Sequence, residues 1–315
     1  MHSPNEAPAS RQRLFGYLLL ASGMGLVGTY VALSRPLTEV FPVFLLAWLR
    51  FAIAALAMVP WLVRPAAEAP ASRSTWRTLF VLSFFGNFLF SILMLNGVAL
   101  AGAAAAGVVL AAMPALVALL SWWLLGERAS ARVWLAIGLA MIGMVLLAMG
   151  GGADASYVAV DIGRAAGTTT VRGPLLLLGC AICEALYVVL GKRLSGVMSA
   201  KRISALINLF GLALMTPFGL WQALDYDWAA VSASMWALLV FYSLAASMIA
   251  TWLWLSGLRY VPASHSGVFA LALPLAASAV GVFALGEALT LALGMAVLCA
   301  CAGVVLVASP GRREG

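Results

Sequence analysis

Of the 315 residues, 64% are apolar and 9% charged, with a formal net charge of +7 and a mean hydropathy of +1.05. Soluble domains carry about 45–50% apolar and about 25% charged residues, so this chain lacks the polar side chains to cover an aqueous surface and reads as a polytopic membrane protein. The basic excess does not point to nucleic acid, because Lys and Arg sit in short segments between apolar runs rather than on one soluble face.

A polar tail, residues 1–13, precedes an apolar run too long for a signal peptide, which reads as an uncleaved first span. A spanning helix needs about 20 mostly apolar residues. Ten stretches qualify in chain order: 14–33, 41–63, 76–98, 102–125, 132–150, 173–191, 202–222, 234–256, 262–285 and 289–308. Pro42 and Pro262 open helices, where a missing N–H costs nothing. Gly126 and Gly286, each followed by Glu, close them. Residues 151–172, rich in Gly, Ala and Thr, form a flexible linker, and 309–315 a second tail. Cys180, Cys183, Cys299 and Cys301 all lie in apolar runs and read as small buried hydrophobes, with no His beside them to complete a metal site.

Orientation follows from Lys and Arg. With the N-terminus inside, 14 of them fall on the cytoplasmic side and 3 (Arg35, Arg164 and Arg172) outside, the remaining one of 18 being Arg50 within a span. That bias places both termini and the 309–315 tail in the cytoplasm and the 151–172 linker outside.

The chain repeats itself. Shifted by 160 positions, residues 72–148 align with 232–308 without a gap, pairing Trp76 with Trp236, Gly97 with Gly257, Pro114 with Pro274, Leu125-Gly126-Glu127 with Leu285-Gly286-Glu287, and Gly143 with Gly303. A shift of 157 pairs the first span with the sixth, Gly16 with Gly173 and Tyr30 with Tyr187. Residues 14–150 and 173–308 thus form two repeats of five spans. Five is odd, so the second repeat must enter the membrane upside down. Inverted repeats recur in secondary transporters, where substrate binds near the midplane between the halves. Similar halves have similar packing energies, so two access states lie close in energy.

The segments MPALVALLSWWLLGE and LPLAASAVGVFALGE, each followed by a Gly-containing last helix, resemble the EamA-type members of the drug/metabolite transporter superfamily, as do AWLRF in the second span and ALYVVLGKR in the sixth. The resemblance spans nearly the whole chain. It implies an all-α integral membrane protein of ten helices, with spans 1–4 and 6–9 around a central cavity and spans 5 and 10 as outer supports. It further implies traffic in small metabolites or amphipathic compounds, often outward, across a bacterial cytoplasmic membrane. Substrate and oligomeric state stay open.

In lipid, polar groups should face the bundle interior or a wet cavity. Ser83, Asn87 and Ser91, at i, i+4 and i+8, share one face of the third span. The repeat maps them onto Ser243, Ser247 and Thr251 of the eighth. These stripes read as opposing cavity walls, or as small hydroxyls that pack helices together. Glu184 lies about 16 Å into its span at about 1.5 Å per residue, near the midplane, with Tyr187 one turn on and Tyr30 as that tyrosine's repeat mate. A charge there costs about 2.5–3.5 kcal/mol. Glu184 is expected to hold a substrate ammonium or exchange a proton, or else to brace another helix.

Arg50 lies at similar depth in the second span, and the resemblance assigns it to bracing or gating. Pro114 and Pro274 remove a helical hydrogen bond each and permit paired bends. His265 opens the ninth span as an interfacial group; as the one His in the spans it does not support a transition-metal path. Trp61, Trp122 and Trp123 fall near helix ends, at the membrane interface.

The chain therefore reads as a secondary transporter, in the exporting direction, of small organic metabolites such as amino acids or amphipathic compounds. Its partners are the lipid bilayer, the solute and, as one option for coupling, protons. No P-loop is present, so ATP is not the direct energy source, and no cofactor or metal motif is found. An uncoupled facilitator remains the alternative. A membrane-embedded enzyme is the weaker one: Ser264 and Ser266 flank His265, but adjacent residues point to different helix faces.

Overall fold

In hydrocarbon an unpaired backbone N–H or C=O costs several kcal/mol, so a spanning segment must bond within itself. A computed structural model describes residues 10–32, 35–66, 68–101, 109–149, 172–285 and 290–308. Among these residues all regular structure is helical. In chain order the α-helices are α1 (Ser10–Ala32), α2 (Arg35–Val40), α3 (Val43–Ala57), α4 (Arg73–Ser83), α5 (Phe90–Ala101), α6 (Met113–Leu125), α7 (Ala131–Met149), α8 (Arg172–Ser195), α9 (Ala200–Leu224), α10 (Ala233–Ser243), α11 (Thr251–Leu258), α12 (Ala263–Ser266), α13 (Ala272–Leu285) and α14 (Leu291–Ala308).

Five continuous stretches among the described residues are long and apolar enough to cross a bilayer: Arg73–Met94, Arg172–Ser195, Ala200–Leu224, Ala233–Leu258 and Leu291–Ala308. Val43–Ala57, Met113–Leu125, Ala131–Leu147 and Ala263–Ala276 are equally apolar but shorter. Large apolar side chains face outward, Trp123 at 76% exposure and Leu298 at 69%. An aqueous protein could not tolerate that belt; lipid solvates it. Gly126 ends α6 at φ 70°, where its N–H reaches the Trp122 carbonyl and the Glu127 N–H that of Ser121. Only glycine takes that backbone without strain.

The repeat is visible in how helices cross. In α3 and α9, the second and seventh spans, Leu45 N–H donates to Gln222 Oε1 (2.8 Å), the Trp48 indole to Thr216 (3.2 Å), and Asn208 to the Phe51 carbonyl (2.9 Å). Numbers rise along one helix as they fall along the other, so the pair is antiparallel. In α7 and α14, the fifth and tenth spans, Gly143 faces Cys299 and Gly303 faces the Ala136 carbonyl, again antiparallel. Corresponding segments of the two repeats therefore run in opposite directions.

The crossings themselves are duplicated. Gly257 of α11 lies on Leu20 of α1, and Gly97 of α5 lies on Leu177 of α8. Leu20 and Leu177 are mates at the 157 shift, Gly97 and Gly257 at the 160 shift. Small residues let these backbones approach, which is how helices associate where lipid is as apolar as the side chains.

Two breaks in regular helix are duplicated as well. A π-helical stretch, Phe84–Leu89, joins α4 to α5, and another, Leu244–Ala250, joins α10 to α11. They begin 160 positions apart. The prolines differ from expectation. Pro114 lies in the first turn of α6, just after a turn at 111–112. Pro274 lies in the first turn of α13, just after the 3-10 stretch Gly267–Leu271. The chain departs from α-helix before each proline, not at a bend around it, because proline suits a first turn, whose N–H groups lack an intrahelical acceptor. Gly267 packs against the Pro114 backbone, with an added Cβ only 3.0 Å from Pro114 Cα.

Candidate functional site

Between α3, α8, α9 and the two π-helical joints lies a small, half-open hollow. Its walls are Arg50 and Phe51 from α3, Asn87 from the first π-helical stretch, and Tyr187 from α8. Ser204, Ile207 and Asn208 come from α9, and Ala246, Ser247 and Thr251 from the second π-helical stretch and α11. Tyr187 stands eight residues from the end of α8 and Asn208 eight from the start of α9, so the hollow is about 12 Å deep from that end.

The π-helical stretches explain how polar atoms reach this space. A π turn breaks the i to i−4 ladder and leaves groups to be satisfied from outside it. Ser83 Oγ donates to the Ile207 carbonyl (2.8 Å), and Asn87 Nδ2 contacts both Ser83 Oγ (3.2 Å) and that carbonyl (3.4 Å). Thr251 Oγ1 donates to the Ala246 carbonyl five residues back (3.2 Å). Gly86 makes room for the Tyr187 ring, which fills the position a Cβ would take. The Tyr187 hydroxyl lies in range of Thr251.

Two polar atoms at this site have no partner among the described residues. Asn208, 2% exposed, donates through Nδ2 to the Phe51 carbonyl, but its Oδ1 is unpaired. Ser247, 6% exposed, has an unpaired Oγ. Arg50 places its guanidinium 4.5 Å from the Phe51 ring centroid, and no carboxylate of a described residue lies within 4.0 Å of it.

Of the residues singled out by sequence, Asn87, Tyr187, Ser247, Thr251 and Arg50 meet here. Ser91 does not line the hollow; its hydroxyl folds back onto the Asn87 carbonyl (2.6 Å). Glu184 is half-buried one turn before Tyr187 on the same helix, is not among the lining residues, and makes no ion pair with Arg50. Tyr30 belongs to α1 by its backbone, but its side chain lies outside the described residues. Sequence reasoning missed Ser204 and Asn208. Their i, i+4 spacing in an otherwise apolar span was the available signal.

A second cluster ties spans together at the end of the bundle that bears Lys192. Lys192 Nζ donates to the Leu258 (2.6 Å) and Val261 (2.7 Å) carbonyls, neutralising the C-terminal end of α11. Glu127, in the loop after α6, accepts from the Ser264 N–H (3.3 Å) at the start of α12. Burial pushes its carboxyl above the ordinary 4.5, against the opposing pull of Ser264 and Lys192. His265 is half-buried, with Nδ1 2.9 Å from the Tyr17 hydroxyl, whose ring also stacks on Phe269. Beside them Glu68 pairs with Arg202 and accepts the Ser199 N–H (3.1 Å). Trp61 packs on Trp252 and lies near Lys201.

A bundle of apolar helices whose corresponding segments cross antiparallel around a polar hollow defines a membrane transporter. The EamA-like transporter family model matches twice, over residues 14–149 and 171–309. The chain belongs to the EamA-like transporter family. It is 32% identical over 269 residues to the uncharacterized transporter YetK of Bacillus subtilis (strain 168), covering 85% of this chain and 78% of that one. It is 27% identical over 264 residues to the uncharacterized transporter YwfM of the same organism, covering 82% and 81%. A known crystal structure superposes with a TM-score of 0.70 at 24% identity, over 92% of this chain and 95% of that one, and has the same fold. This family and these relatives are transporters, and the chain is a multi-pass membrane transporter, not an enzyme.

Proposed function

We propose that the chain exports small organic metabolites, amino acids or compounds of similar amphipathic character, by alternating access across a bacterial cytoplasmic membrane. In this reading ten spans form two inverted repeats, 14–150 and 173–308, and both termini are cytoplasmic. The observation that carries it is the composition of the hollow. Both repeats supply polar side chains to it, and Phe51, Ile207 and Ala246 supply an apolar wall beside them. A solute with one polar and one apolar end fits such a lining.

The charge bias puts the Lys192 end on the cytoplasmic side. Its ties, Lys192 to α11, Glu127 to α12 and Tyr17 to His265, are the contacts that must part when the carrier opens inward. Glu184, half-buried next to the hollow, is the group through which proton coupling would act. The test is uptake by proteoliposomes holding the full chain, with amino-acid and amphipathic-solute panels at two internal pH values. Protein-dependent flux is the expected result, and its absence across the panels overturns the reading.

A further inference from the structure

We infer that Arg50 is the anion subsite of this transporter, selecting solutes that carry one carboxylate; this rests on the carrier reading and narrows its substrate class. The resemblance gave Arg50 a bracing or gating role. Its surroundings do not supply what a brace requires. A guanidinium that braces a bundle is paired with a carboxylate or with carbonyls, because an unpaired charge at the centre of a span costs about 2.5–3.5 kcal/mol. Arg50 has no such partner among the described residues: its close neighbour is the Phe51 ring, and it lines the hollow. The acid on α8, Glu184, forms no ion pair with it among the described residues.

Two further observations support this assignment. Asn208 Oδ1 and Ser247 Oγ are buried, belong to residues lining the same space, and have no partner among the described residues. A buried polar atom left unpaired costs about 1–3 kcal/mol, so two of them beside an uncompensated cation mark groups awaiting a complement. Asn208 is held in place by its own Nδ2, bonded to the Phe51 carbonyl at 2.9 Å, which leaves Oδ1 to accept. The ligand these atoms describe has an acceptor-only planar anion for the guanidinium fork and a hydrogen-bond donor for Asn208 and Ser247. Its remainder is apolar, to meet Phe51, Ile207 and Ala246.

Arg50 is the only ionised side chain among the lining residues, so it balances one negative charge and not the two of a phosphate monoester. A bound carboxylate neutralises the guanidinium. Closing the bundle over a loaded hollow then buries the guanidinium paired, whereas closing it empty buries it bare.

The test uses purified full-length protein and thermal stabilisation by four probes. These are 2-hydroxyisovalerate, its neutral carboxamide, L-valine, and a dianionic isopropyl phosphate. The two acids are expected to stabilise at concentrations at least tenfold below the amide and the phosphate. Arg50→Gln should abolish the acid-over-amide preference, and Arg50→Lys should keep it in weakened form. Should Arg50→Gln not elute as folded protein, Asn208→Asp, which sets a rival carboxylate in the hollow, should cut the preference at least tenfold. Equal response to acid and amide in the unaltered protein overturns the assignment. So does tighter binding of the phosphate, silence toward both acids, or a preference that survives these substitutions. Proteoliposome flux separates the two readings: carboxylate binding without flux removes the carrier and keeps the subsite, and flux indifferent to solute charge does the reverse.

Discussion

The ring of Tyr187 rests directly on Gly86, in the middle of the π-helical stretch Phe84–Leu89, with no room for a methyl group between them. This contact sets where the Tyr187 hydroxyl stands over the hollow. Gly86→Ala forces the ring to move from its base outward. Transport is expected to fall about tenfold or more, since a site group displaced by about 1 Å no longer meets its ligand. Flux measured at matched expression checks this. A variant as active as the parent shows that Tyr187 need not be held there.

Gly257 carries the crossing of α1 and α11. An added Cβ would lie 2.8 Å from Leu20 Cγ and 2.9 Å from the Gly16 carbonyl, and backbone cannot swing away as a side chain does. Gly257→Val should lower stability by about 1–3 kcal/mol through overpacking. Gly138→Val is the control, because nothing lies within 4 Å of a Cβ there. Thermal unfolding of both variants in the same detergent is the measurement.

Lys192 donates two charged hydrogen bonds to carbonyls at the end of α11. Each such bond contributes about 1.5–3 kcal/mol, and half-burial limits the exchange with water. Lys192→Met keeps the apolar stem and removes the donor. It should lower the unfolding temperature and increase cysteine labelling at introduced sites facing the hollow from that end. Unchanged labelling would show that the tie is structural and does not restrain opening.

Glu127 provides a pH prediction with a definite sign. Burial raises its carboxyl above the ordinary 4.5, so the folded protein holds that proton more tightly than the unfolded chain. The associated stability is present below the ordinary value and is lost as pH rises through the raised one. Glu127→Gln, which mimics the protonated form, should therefore gain on the parent as pH increases upward from 4.5. Partial exposure keeps the gain below about 1 kcal/mol. Unfolding temperatures of the two proteins across pH 4 to about 8 test the sign; a gap that narrows with pH contradicts it.

Glu184→Gln addresses coupling. The loss of an ionisable group next to the hollow should flatten the pH dependence of flux while expression and elution stay as in the parent. If transport by the variant follows the parent's profile at every pH, protons do not move through Glu184.

Much of the architecture was legible in the chain because two of its signals are strong and local. Apolar runs of about 20 residues admit few alternatives once the solvent is lipid. Gly-Glu, Pro and Trp matches at one register revealed the duplication, and an odd number of spans per repeat made it inverted; the antiparallel run of α3 against α9 and of α7 against α14 agrees. The polar stripe logic found Asn87, Ser247 and Thr251. It overlooked Asn208, which stands four residues after Ser204 in α9.

By itself, then, the sequence determined the solvent, the all-helical class, the repeat and the membership in a transporter family, since each follows from composition or from spacing along the chain. Only the tertiary structure decided which polar groups share a space. Whether Arg50 meets Glu184 or Asn208 depends on how α3, α8 and α9 rotate about their axes, and that rotation is set by close packing at residues such as Gly86 and Gly219, far apart in the chain. It also decided that both prolines begin helices instead of bending them, because the break lies in the preceding turn and a first turn has no intrahelical N–H bond for proline to forfeit.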